Sequence, residues 1–224
     1  MNRQQLLIGL IAIAVVALGV VAYFVIWGSS DNEDVTASGG TQYKYTVTGD
    51  DRTLGNPHAK VTMIEYAAPT CPHCAHFDMT LFPFLKKNYI DTGKVYYVFR
   101  VFPLSQVDIA AEAIARCLPP SSYFQFIDQL FRNQPQWDPD GYQIPDVRGA
   151  LLSQARVAGM ADDQTNACID NQDQQKRIAA IGQDANTQYG VTGTPTFLVN
   201  GAIAPPFESP DDIKAYLDQV LAKS

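Results

Sequence analysis

The sequence predicts an α/β domain with a helical segment inserted into it, preceded by an N-terminal transmembrane helix. Three observations predict this. A strand-helix-strand signature spans 61–102, with breakers between the apolar segments. Helical periodicity then runs from about Gln106 to Tyr189. Beyond it the chain returns to a strand hairpin and one closing helix. At 224 residues the chain is long enough for one domain of about 100–200 residues plus additional segments.

The first element is the run from Leu6 to Trp27, which is apolar or small throughout and carries no charge. About 20 such residues cross a hydrocarbon core of roughly 30 Å. Arg3 precedes the run and Asp31, Glu33 and Asp34 follow it, which places the N-terminus inside and the rest outside. The alternative is a cleaved signal peptide, cut after Ala37. Signal-peptide cores are shorter, about 7–15 residues, and Tyr23 and Trp27 read as interface anchors. The expected division is an anchor over 1–27, a polar, Gly/Ser-rich tether over 28–42, a sheet domain over 43–104 and 186–224, and an inserted helical domain over 105–185.

Within the folded part, a first strand is expected near Tyr43–Thr48. Val61–Ala67 is flanked by turn residues and reads as a buried strand. Thr70 or Cys71 can cap the next helix, and Pro72 suits its first turn. Phe77, Leu81, Phe84 and Leu85 continue that helix, and Pro83, lacking an amide proton, interrupts it. Val95–Phe102 is rich in aromatic and β-branched residues, as in a central strand, with Arg100 emerging at its edge. Apolar stripes at Val107, Ala110, Ala111, Ile114, Cys117 and at Tyr123, Phe124, Ile127, Leu130, Phe131 mark two helices. Further helices fall near Val147–Gly159, Ala161–Asp170 and Gln172–Tyr189. Asn200-Gly201 supplies the positive φ angles of a tight hairpin between Thr196–Val199 and Ala202–Ala204. The closing helix has Ser209 as cap and Pro210 at its first position.

The net charge of −7 and pI of about 4.8 exclude nucleic-acid binding through a basic surface. Four cysteines allow three pairings. Cys71 and Cys74 are the local pair, which leaves Cys117 with Cys168; two buried free thiols are the alternative there. Export favours the bond, since disulfides persist outside the cytosol.

Chemistry concentrates in Cys71-Pro72-His73-Cys74. A thiolate attacks disulfides, and a helix N-terminus stabilises it through free amides and the helix dipole. His73 lies where it could add a hydrogen bond or positive charge to Cys71. A stabilised reduced form makes the disulfide a stronger oxidant. Cys74 is the expected resolving thiol. A zinc knuckle of Cys71, Cys74 and His76 falls short of the four protein ligands a structural site takes, and an inert structural disulfide is the other alternative. Glu65, on an otherwise apolar strand, has a carboxyl that burial would protonate, suited to relaying a proton from Cys74. His58 and His76 are expected on solvated surfaces.

Together these residues resemble the DsbA family of thioredoxin-fold disulfide oxidoreductases, its membrane-anchored members above all. The resemblance covers most of the region from about Tyr43 to Ser224 and rests on Cys71-Pro72-His73-Cys74, on Glu65 and on Gly193-Thr194-Pro195-Thr196-Phe197. It implies a thioredoxin fold with an inserted α-helical domain, a cis Pro195 facing the cysteines, and a Thr194 backbone placed to pair with an extended substrate. Thr194 departs from the valine common in strongly oxidising members; its hydroxyl could stabilise thiolate or substrate, and the alternative is a β-branched residue that suits the extended pre-proline backbone.

The function so implied is oxidation of exported proteins with free cysteines, with no cofactor. A DsbB-like, quinone-linked membrane partner would reoxidise the enzyme, and the short tether argues for a monomer. The alternative is an isomerase or reductase kept reduced by a membrane partner. A metal-handling or chaperone-like module is a third reading; copper carriers often place methionine two residues before the first cysteine, and this chain has Pro69 there.

Overall fold

The computed structural model describes residues 41–224. The predicted anchor over 1–27 and nearly all of the tether over 28–42 lie outside them. Among the described residues no helix is long and apolar enough to cross a membrane.

Five strands form one sheet in the order β1-β3-β2-β4-β5. They are β1 (Arg52–Leu54), β2 (Val61–Ala67), β3 (Val95–Val101), β4 (Thr196–Val199) and β5 (Ala202–Ile203). β2 and β3 are parallel, with Val61 opposite Val95; the other pairings are antiparallel. A parallel pair needs a crossover, and the helical stretch after β2 supplies it. This is a thioredoxin-like α/β fold with a helical insertion.

The crossover runs through α1 (Pro72–His76) and α2 (Phe82–Leu85), with a π-helical turn after each, at Phe77–Leu81 and Lys86–Ile90. The predicted interruption at Pro83 takes this form. Proline offers no amide, and flanking amides reach back five residues, Phe82 to Phe77 and Asp91 to Lys86.

Six helices follow: α3 (Gln106–Cys117), α4 (Tyr123–Arg132), α5 (Gln134–Trp137), α6 (Val147–Val157), α7 (Asp162–Ile169) and α8 (Gln172–Tyr189). Cys117 at the end of α3 is bonded to Cys168 in α7, with an S–S distance of 2.07 Å. The closing α9 (Pro210–Lys223) starts in a capping box of Ser209 and Asp212. Asn200 and Gly201 take φ of 47° and 88°, as the hairpin requires.

One expectation fails. No strand covers Tyr43–Thr48; the first is β1. Tyr43, Tyr45 and Val47 do alternate inward, packing on the cluster around Tyr66 and Tyr189. The alternation that read as a strand is therefore real. The Tyr43 amide donates to the Gly201 carbonyl at 2.7 Å, but no ladder follows it along the segment.

The alternation of β2 decides where the site sits. Val61, Met63 and Ala67 face the main core, while Ile64 and Tyr66 face the cluster under α8. Glu65 therefore points to the main-core face, the side on which Cys71 and Cys74 are packed.

Candidate active site

Cys71 is the N-cap of α1. Its extended backbone ends β2's exit turn, and its sulfur accepts a hydrogen bond from the Cys74 amide at 3.3 Å. Pro72 occupies the first helical position, where its missing amide is not needed. Both thiols are free and buried, Cys71 with 4% of its surface exposed and Cys74 with none.

Across from them, the Thr194–Pro195 peptide is cis. The Cys71 thiol donates to the Thr194 carbonyl at 3.4 Å. The Thr194 hydroxyl is buried without a hydrogen-bond partner among the described residues.

These surroundings drive the two sulfurs apart. The Cys74 thiol, donating to the Cys71 sulfur, is the chief cause that brings Cys71 down to about 6. Burial opposes it; Thr194 and the amides of Cys74 and His73 add to it. Cys74 moves the other way, pushed well above a normal thiol by burial, by its bond to Cys71 and by the charges of Cys71 and Glu65. At neutral pH one proton thus stays on Cys74 while Cys71 is mostly thiolate.

His73 contributes through its backbone. Its side chain is exposed and has no hydrogen bond among the described residues, so the expected ring contact to Cys71 is absent and the amide stands in its place. His58 and His76 are exposed. Among the described residues no cluster of three or more His, Cys, Asp or Glu could hold a metal ion.

Glu65 is 2% exposed. Burial raises its carboxyl to about 8, against the Tyr97 hydroxyl, which favours the charged form; Asp78 and Cys71 raise it further by repulsion. Tyr97 donates to it at 2.6 Å. Asp78, one turn beyond Cys74, is also pushed up, by burial and by Asp128 of α4.

The sequence matches the thioredoxin family over residues 47–219. The fold matches the crystal structure of Wolbachia pipientis α-DsbA1 with a TM-score of 0.72 and 28% identity, covering 79% of this chain and 94% of that one. The chain is a DsbA-like member of the thioredoxin family. A Rickettsia typhi relative, whose name places it with the protein-disulfide oxidoreductases, is 32% identical over 182 residues, 81% of this chain and 66% of the relative. A Bacillus cereus relative named for disulfide bond formation (protein D) is 28% identical over 213 residues, 93% of this chain and 92% of the relative. The chain therefore spans about two thirds of the Rickettsia relatives' length, 66% and 68% in two of them.

In this DsbA-like site the helical insertion grips the cysteine turn at two points that sequence reasoning missed. Gln134 of α5, 5% exposed, donates from Nε2 to the Pro69 carbonyl at 2.8 Å and the Cys71 carbonyl at 3.1 Å. Asp108 of α3, with no exposed surface, accepts from the Thr70 amide at 2.9 Å and its hydroxyl at 3.1 Å. Asp108 was signalled by Ser105-x-x-Asp108, a capping-box pattern; Gln134 had no local signal. Arg100, expected at an edge, is half-buried on the opposite sheet face, paired with Asp51 at 2.8 Å.

Glu65 makes a pH prediction for the DsbA-like fold. Its folded value lies above its ordinary 4.5, so the folded chain holds a proton that the unfolded chain releases. The stability this gives is complete below about pH 4.5 and is lost as pH rises through about 8, with a slope of at most about 1.4 kcal/mol per pH unit. Glu65→Gln does not titrate. Its stability relative to the parent should therefore climb between about pH 5 and pH 8, measured by urea unfolding of both reduced proteins. A difference that stays flat with pH would place the Glu65 proton elsewhere.

Proposed function

We propose that this protein is a thiol-disulfide oxidoreductase that introduces disulfides into exported proteins, with Cys71 as the exchanging sulfur. The observation that carries the reading is the divergence of two sulfurs one turn apart, Cys71 lowered to about 6 and Cys74 raised. In the oxidised enzyme a substrate thiolate attacks the Cys71 sulfur. A substrate–Cys71 bond forms, the Cys71–Cys74 bond breaks, and Cys74 leaves and takes a proton, for which Glu65 is the nearby donor. A second substrate thiolate then attacks its own mixed-disulfide sulfur and expels Cys71 as a stable thiolate. Two electrons have passed from the substrate dithiol to the enzyme. The low value of Cys71 favours that last departure and hence net oxidation.

An extended substrate chain would pair with the Thr194 backbone beside Cys71 by strand addition. Pro72 shapes the turn and Pro195 the facing loop. The enzyme would work as a monomer outside the cytoplasm, held by its N-terminal apolar segment, needing no cofactor of its own and reoxidised by a DsbB-like quinone-linked membrane protein. The Cys117–Cys168 bond would be structural, in the insertion.

The test is the pH dependence of alkylation of the reduced protein. Cys71 should react half-maximally near pH 6, against about 8.5 for a free cysteine. Reduced model substrates should be turned over faster than scrambled ones. A half-maximum near 8.5 would remove the reading altogether. A lowered value with preference for scrambled substrates would make the protein an isomerase.

A further inference from the structure

On the sheet face away from the cysteines lies a cavity of about 700 Å³, between the segment 44–52, the strands and α8. That volume is in the range of small-molecule sites. Its charges are not balanced. Arg100 is matched by Asp51, whose two oxygens it holds at 2.8 and 2.9 Å. Arg116 holds one oxygen of the buried Glu112 at 2.6 Å, and the Tyr123 hydroxyl holds the other at 2.7 Å. Glu112 is thereby used up.

Arg52 is left over. Its Nη1 and the Nη1 of Arg116 converge on one neutral acceptor, the Asp50 carbonyl, at 3.3 and 3.1 Å. Its Nε is buried with no hydrogen-bond partner among the described residues. Its guanidinium lies over the Tyr123 ring at 5.3 Å, which fixes its direction. At the rim, the exposed Arg177 of α8 reaches only the side chain of its neighbour Gln174. Asp50 and Asp184 also line the cavity, yet among the described residues neither carboxylate is paired with any of these arginines.

Two guanidinium groups that share one neutral carbonyl acceptor, one of them bonded to no carboxylate among the described residues, favour an added anion. Carboxylate and phosphate match the fork of a guanidinium in two parallel hydrogen bonds. The chain as a whole is strongly acidic, at −7, so anions are not drawn to it by net charge. We propose that this cavity binds a small anion bearing a carboxylate or phosphate group, with Arg52 and Arg116 as its floor and Arg177 at its rim. The site lies apart from the cysteines and is read without redox chemistry, so it stands or falls independently of the oxidase reading.

The experiment is thermal unfolding of the full-chain protein titrated with inorganic phosphate or with succinate, at ionic strength held constant by chloride. Saturable stabilisation by either anion is the expected result. Saturation by phosphate alone assigns a phosphate ligand, by succinate alone a carboxylate. Arg52→Gln and Arg177→Gln should each raise the half-saturating concentration about tenfold, equivalent to ~1.4 kcal/mol, while Lys60→Gln, outside the cavity, leaves it unchanged. Arg177 is exposed, so its variant keeps the test open should Arg52→Gln fail to fold. Stabilisation that never saturates, or that is the same in both arginine variants as in the parent, overturns the proposal.

Discussion

Cys71→Ser should lose dithiol oxidation by at least about a thousandfold, while Cys74→Ala should accumulate mixed disulfides. The asymmetry follows from geometry. Cys71 caps α1 with its sulfur beside Thr194, and Cys74 lies beneath with no exposed surface. Only Cys71 can meet a substrate sulfur, so its loss removes the attacking and attacked atom together. Without Cys74 there is no Cys71–Cys74 bond to attack. The Cys71 thiolate instead attacks a substrate disulfide: the Cys71–substrate bond forms as the substrate's S–S bond breaks and a substrate thiolate leaves, and no internal thiol is there to resolve it. A second consequence is less obvious. The Cys74 thiol is the chief cause of the low Cys71 value. In Cys74→Ala the Cys71 half-ionisation should therefore move upward from about 6, and thiolate absorbance at neutral pH should fall. Trapped adducts with an unmoved titration would transfer that role to Thr194 and the helix amides. Trapping by Cys71→Ser in place of Cys74→Ala would reverse the assignment of the two sulfurs.

What the sequence made legible here was whatever is set locally. The cysteine turn, its proline, the Asn200-Gly201 hairpin and the Ser209 cap are decided by a few adjacent residues, and the structure has them where the spacing put them. The strand-like reading of Tyr43–Thr48 failed because alternation reports which side chains turn inward, whereas a strand also needs a neighbour for its amides. That His73 could add a hydrogen bond or positive charge to Cys71 rests on proximity in the chain alone. At the start of a helix, adjacent side chains point to different sides, and what His73 gives Cys71 is its backbone amide. Tyr97 and Gln134 were out of reach for a different reason. Each meets its partner only through tertiary packing, Tyr97 from the neighbouring strand and Gln134 from a helix 63 residues beyond Cys71. The aromatic and β-branched composition of Val95–Phe102 marked a central strand and gave no sign that the Tyr97 hydroxyl would find a carboxyl there.

Asp108→Ala should cost about 3–5 kcal/mol of stability, because a buried acceptor serves donors from two segments at once. One oxygen takes the Thr70 amide; the other takes the amides of Leu104 and Ser105 at 2.9 and 3.0 Å and both the Thr70 and Ser105 hydroxyls. Alanine leaves three backbone amides without an acceptor: that of buried Thr70, worth about 1–3 kcal/mol when stranded, and those of Leu104 and Ser105 nearer the surface. The Asn variant should lose less, since its oxygen can still serve the side with more donors while its amide faces the other. Burial raises the Asp108 carboxyl above its ordinary range despite these bonds, so the site strains to keep a charge where the donors want one. The effect should reach the chemistry. Thr70 immediately precedes Cys71, and with Gln134 gripping the carbonyls on either side, the insertion holds the cysteine turn from above. Releasing the Asp108 grip lets the helix amides drift from the sulfur, and the Cys71 value should rise in Asp108→Ala. Urea unfolding measures the first effect and alkylation against pH the second. A loss below about 1 kcal/mol together with an unmoved Cys71 titration would mean that the turn holds its own shape and that the insertion only covers it.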